Sequence, residues 1–230
     1  MRRIHLINFT PKRITAFVGH YGSGKTELAL NFAAWLKEKH EKVIIADLDT
    51  VNPYYRTKDA EDQLEAKGIA MLSSPFASSN VDLPTMPGQV FTLFNDDAGM
   101  VVMDIGGDDD GATVLGTYSS RFKENTYDLF CVINQRRFLT KTADEAVSYI
   151  RDIEAASRLK VTGIVNNTNL SWETTPEVIL DSLAYGEAVS QKSGIPLVMT
   201  AALSKFEQEL DGRAPNLFPI DIYIKYTWQT

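Results

Sequence analysis

The chain has 230 residues, 44% hydrophobic and 23% charged, an ordinary globular usage that excludes a disordered or fibrous protein. Its 23 Lys and Arg against 30 Asp and Glu give a net charge of −7, which argues against a broad electrostatic grip on nucleic acid or an anionic membrane. The one cysteine, Cys131, excludes an internal disulfide framework, and its apolar flanks read as those of a buried core thiol.

The N-terminus, Met1-Arg2-Arg3-Ile4-His5-Leu6, has charges with no long apolar segment behind them, and no run of about 18 apolar residues follows anywhere. Neither a secretory signal nor a membrane-spanning helix is expected, and the protein is read as soluble and cytoplasmic. Short apolar runs rich in β-branched residues then recur. The first, 14–18, precedes a helical pattern over 25–39 that puts Leu28, Phe32, Trp35 and Leu36 on one side. Runs follow at 43–46, 69–72, 100–105 and 129–133, and a second helical pattern over 142–157 aligns Ala146, Ile150 and Ile153. Beyond the run 161–165, Ile179, Leu183 and Val189 share a stripe over 176–192; a further run occupies 196–199, and 219–226 alternates as a strand does.

Strands apolar on both faces and joined through helices predict a parallel sheet covered on both sides. No linker or internal repeat divides the chain. Residues 1–230 are therefore read as a single α/β domain with a mostly parallel sheet of seven or eight strands and helices on both faces.

Directly after the first run comes Gly19-His20-Tyr21-Gly22-Ser23-Gly24-Lys25-Thr26, which fits G-x-x-x-x-G-K-[ST] between a strand and a helix. The glycines let backbone N–H groups surround phosphate oxygens, and the helix aims its N-terminal partial charge at the same anion. Gly19, Gly22, Ser23 and Gly24 would form the cradle, Lys25 would reach the β- and γ-phosphates, and the Thr26 hydroxyl would ligate Mg²⁺. The run 43–46 ends in Asp47-Leu48-Asp49-Thr50-Val51-Asn52-Pro53, placing two carboxylates at the carboxyl end of a parallel strand, where such sheets bind ligands. Val101-Val102-Met103-Asp104-Ile105-Gly106-Gly107 reads as a Walker B strand, with Asp104 toward Mg²⁺ and the Gly106 N–H toward the γ-phosphate. Asp108, Asp109 and Asp110, which a triphosphate would repel, read as a solvated loop.

Together these three motifs resemble the ParA/MinD-like family of P-loop ATPases, the branch that also holds the signal-recognition GTPases, the arsenite-pump ATPase and dethiobiotin synthetase. The likeness runs over residues 14–203. It implies a P-loop NTPase fold, with Asp49 orienting the hydrolytic water, Asp47 supporting the metal shell and Asp104 as the Walker B acid. The pattern departs at His20, where the family usually carries a lysine that reaches a partner's nucleotide. A shorter, mostly neutral side chain puts ATP-driven dimerisation of the MinD kind in doubt. Arg56, Arg136 and Arg137 are substitute cations, read here as solvated side chains.

The base is argued from Asn166-Asn167-Thr168-Asn169 after the run 161–165. Guanine-specific relatives have Asn-Lys-x-Asp here, and an amide at 169 would set a donor against the guanine donors. Adenine is therefore expected, with Asn166 as the base contact. The cofactors expected are ATP and Mg²⁺, and the partner is an unidentified protein or small molecule. Three functions fit: an ATPase switch that changes a partner interaction on hydrolysis, an ATP-dependent kinase or ligase of the dethiobiotin synthetase type, and a GTPase of the nickel-insertion type. The kinase or ligase reading would use the proline-bearing stretch 73–89 as a substrate loop, which equally reads as a partner surface or covering loop. The third is weakened by the lack of a Cys/His cluster for a soft metal.

Overall fold

The computed structural model describes residues 9–49, 58–73, 88–123 and 125–224. Strands β1 (Ile14–Gly19), β2 (Val43–Leu48), β3 (Ala70–Ser73), β4 (Met100–Ile105), β5 (Tyr127–Ile133), β6 (Gly163–Asn166), β7 (Leu197–Leu203) and β8 (Leu217–Ile220) form one sheet, all parallel, in the order β3-β2-β4-β1-β5-β6-β7-β8. The chain leaves β1 toward one edge and returns on its other side, so the ligand crevice of such a sheet falls at the carboxyl end of β1.

Helices α1 (Lys25–Lys37) and α2 (Lys58–Glu65) cover one face, where Leu28, Phe32 and Leu64 pack with Phe17, Val102 and Phe130. Helices α3 (Asp108–Thr117), α4 (Ala143–Ser157) and α6 (Leu183–Ser193) cover the other, with Leu115, Ile150 and Val189 against Ala16, Met103 and Cys131. Short helices α5 (Pro176–Asp181) and α7 (Glu207–Leu210) close a satellite cluster beside β7 and β8. The central strands β1, β4 and β5 alternate between the first two cores and are buried on both faces, which is why they read as continuous apolar runs.

Cys131 is fully buried, and burial pushes its thiol up to about 12, against the nearby Lys25 ammonium. The α4 boundary follows from a capping box: Thr142 accepts from the Glu145 N–H while the Glu145 carboxylate accepts from the Thr142 N–H.

Three expectations are corrected. Asp108–Asp110 open α3 and are not a loop. The pattern 176–192 is two helices that meet at Ser182, whose N–H and hydroxyl both donate to the Ile179 carbonyl. The last strand ends at Ile220 within the span expected to run to 226. Beyond it, α1 side chains capture the backbone donors: Asn31 accepts from the Asp221 N–H at 2.8 Å, and Glu27 from those of Tyr223 and Ile224 at 3.0 and 2.9 Å. The stretch 74–87 and Arg56 lie outside the described residues, as does most of the 73–89 loop.

Candidate functional site

The segment between β1 and α1 wraps tightly at the centre of the sheet's carboxyl edge. The Ser23 N–H donates to the His20 carbonyl at 3.0 Å, and Gly22 and Gly24 take φ values of +73° and +89° that side chains rarely adopt. Lys25, only 4% exposed, donates from Nζ to the Gly19 carbonyl at 2.8 Å and the His20 carbonyl at 3.2 Å, so its charge is held across the loop. Thr26 follows in the first turn of α1 and lines a cavity of about 380 Å³ with Gly22, Gly24, Glu27, Arg137 and Asn167. That volume lies within the 300–1,000 Å³ common for small-molecule sites.

The carboxylates arrive from the neighbouring strands. Asp47 of β2 and Asp104 of β4 stand at the same register, on strands roughly 4.8 Å apart. Both are buried, and both face the α1 side, since Ile45 and Val102 two residues earlier belong to that core. Asp47 accepts the Asp49 N–H at 3.0 Å, which ties the end of β2 into a turn. Asp49 is buried against Gly106: a Cβ added to that glycine would lie 2.9 Å from its Oδ1. One added to Gly107 would lie 3.0 Å from the Tyr21 backbone, so the β4 end also touches the P-loop.

Magnesium fits this donor set. Two buried carboxylates and the Thr26 hydroxyl are hard oxygen ligands, and packing several acids beside one ammonium calls for a cation. Among the described residues no group of three or more His, Cys, Asp and Glu forms a self-sufficient metal site. A cation here would therefore depend on phosphate oxygens and water, the usual habit of magnesium.

Asn166 is placed differently from its neighbours. It is 1% exposed, and its amide is saturated inside the protein: Nδ2 donates to Ser182, while Oδ1 accepts from the Thr168 N–H and hydroxyl. Asn167, Thr168 and Asn169 line the cavity instead, together with Trp172, which is 71% exposed. Asn167 donates to the Ser23 carbonyl at 2.7 Å and so pins this loop to the P-loop.

The motifs did not point to two further side chains. Glu27, the residue after Thr26, lines the cavity; burial pushes its carboxyl from the ordinary 4.5 to about 7, partly offset by the Tyr223 and Ile224 N–H groups. Its place directly behind the Lys-Thr pair was a usable signal. Arg137, read from sequence as solvated, lies over the P-loop.

No known family model and no curated protein matches this chain. Solved structures do. FtsY from Mycoplasma mycoides aligns over 85% of this chain and 63% of its own, with 19% identity and a TM-score of 0.53. Signal recognition particle receptor FtsY from Elizabethkingia anophelis aligns over 84% and 59%, with 19% identity and a TM-score of 0.50. Chloroplast FtsY from Physcomitrella patens gives 85%, 59%, 20% and 0.50 in the same terms. The fold is that of a P-loop nucleoside triphosphatase. This chain spans 59–63% of the length of those structures, and the likeness is one of fold. No helix among the described residues is long and apolar enough to cross a membrane.

Proposed function

We propose that this protein is a Mg²⁺-dependent ATP-binding switch of the ParA/MinD kind, whose hydrolysis of ATP changes how it engages a partner. One observation carries the reading: the end of β4 touches both the residue that follows β2 and the P-loop, with Gly106 against Asp49 and Gly107 against Tyr21. A nucleotide held by the P-loop would then be sensed by the other two.

Gly19, Gly22, Ser23 and Gly24 form the phosphate cradle at the start of α1, and Lys25 neutralises the β- and γ-phosphates. Thr26, Asp47 and Asp104 would hold Mg²⁺, which when bound would offset phosphate charge during transfer. Asp49 accepts a hydrogen bond from water and orients it toward the γ-phosphate, while the Gly106 N–H senses that phosphate. Loss of the γ-phosphate releases the two loops that it joined. Adenine is favoured because position 169 offers no carboxylate to the guanine edge, and the Asn169 amide oxygen already accepts from the Ser171 N–H at 3.1 Å.

The test is a thermal-shift panel of ATP, ADP, GTP and GDP, with and without Mg²⁺, on the wild type and Lys25→Ala. Adenine nucleotides at about 100 times Kd stabilise the wild type by about 2.7 kcal/mol and leave the variant unmoved. A response to guanine nucleotides alone overturns the adenine assignment. Equal shifts in Lys25→Ala overturn the P-loop assignment.

A further inference from the structure

The outer side of the P-loop is met by a cation from a distant part of the chain. Arg137 lies in the turn after β5, and a Cβ built on Gly22 would fall 3.0 Å from its Cζ and 3.2 Å from each of its two terminal nitrogens. Three nearly equal distances mean that the guanidinium turns its face toward Gly22. Gly22 itself takes a φ of +73°, which side chains rarely adopt.

Arg137 also lines the same cavity as Gly22, Gly24 and Thr26. Among the described residues, no hydrogen bond or ion pair engages its guanidinium.

The turn that carries it is well fixed. The Arg137 N–H donates to the Asn134 carbonyl at 3.0 Å, and the Thr140 hydroxyl donates to the same carbonyl at 2.8 Å. The Gln135 N–H donates to the Thr168 hydroxyl at 3.1 Å, and the Tyr185 hydroxyl donates to the Thr140 carbonyl at 2.5 Å. Such a turn fixes the Arg137 backbone beside the site, so that the side chain alone is left to be ordered by a ligand.

We infer that Arg137 is a ligand of the nucleotide's phosphate tail supplied by the same chain, closing the P-loop from its solvent side. The inference rests on the nucleotide reading above. Arginine suits the role because its planar fork is charged at every working pH and matches phosphate oxygens two at a time. Lys25 and the α1 N-terminus hold the tail from within, and Arg137 meets it from outside.

The experiment is calorimetric titration of the full chain and its Arg137→Ala, Arg137→Lys and Lys25→Ala variants with Mg²⁺ and non-hydrolysable ATP and GTP analogues, and with ADP and GDP. Arg137→Ala is expected to bind the triphosphate analogue of the preferred base at least about tenfold more weakly, the scale of one hydrogen bond to a charged group. Because the side chain is exposed, the ligand-free melting temperature stays unchanged, and Arg137→Lys recovers part of the loss. Affinity within twofold of the wild type in Arg137→Ala overturns the inference while leaving the nucleotide reading intact. If the wild type binds no nucleotide at all, that reading falls and takes the inference with it. An equimolar mixture of Arg137→Ala and Lys25→Ala separates same-chain from cross-chain action. Recovery of tight binding in the mixture would place Arg137 in a neighbouring molecule's site and refute the proposal; continued weak binding supports it.

Discussion

Glu27 ties together parts of the chain 196 and 197 residues apart, accepting the Tyr223 and Ile224 N–H groups at the edge of the cavity. Burial raises its folded pKa to about 7 from the ordinary 4.5, so the folded state binds a proton more tightly than the unfolded chain does. The contribution of Glu27 to stability then falls as pH rises through that window, by about 3 kcal/mol over its full width. Urea denaturation of nucleotide- and metal-free protein at pH 5 and pH 8 is expected to show this loss, and Glu27→Gln to remove most of it. Equal pH dependence in the two proteins would clear Glu27 of the effect.

At this scale the sequence was informative wherever chemistry is local. Lys25, Thr26, Asp47 and Asp104 are placed by spacing within single strand–turn–helix units, at the start of α1 and at the carboxyl ends of β2 and β4. The surroundings of Asn166 and Arg137 come from elsewhere in the chain. Ser182 sits 16 residues from Asn166, and Gly22 belongs to a different strand's loop.

Elements show the same division. Helix α3 begins directly after Gly107, and Gly111 in its first turns packs on the carbonyl of Gly106, where an added Cβ would collide with the oxygen and lie 2.6 Å from the carbon. Helix propensity alone would make Gly111→Ala stabilising by about 1 kcal/mol. Contact with a backbone carbonyl reverses the sign. Gly111→Ala is expected to lose roughly 1–3 kcal/mol of unfolding free energy in urea, and to respond less to nucleotide, because Gly106 is displaced. A stabilised variant would show that α3 does not press on Gly106. The start of this helix was misread as a loop because the reading weighed only repulsion between three aspartates and a triphosphate. The end of β8 was misread because alternation cannot reveal that Asn31 and Glu27 will capture the next donors.

For the molecule as a whole, the order β3-β2-β4-β1-β5-β6-β7-β8 puts the P-loop strand between β4 and β5. One neighbour contributes Asp104 and the other carries Arg137 on its following turn, so a single chain brings acid and cation to both sides of the phosphate cradle. His20 packs its ring near Tyr149 of α4, with centroids 6.1 Å apart, and offers no long cationic arm. Light scattering with ATP and Mg²⁺ is therefore expected to report the 25.6 kDa monomer mass, unchanged from the nucleotide-free protein. A doubling on adding ATP would refute that and point to a shared site.

By itself the sequence determined the covered parallel sheet, the P-loop and the carboxylates at strand ends, because hydrophobic period and motif spacing are properties of neighbouring residues. Tertiary structure alone decided which strands became neighbours, where the last strand stopped, that Asn166 turned inward and that Arg137 came to rest on Gly22. Each of those outcomes depends on groups far apart in sequence competing for the same donors, acceptors and space, a competition settled only once the chain has closed on itself.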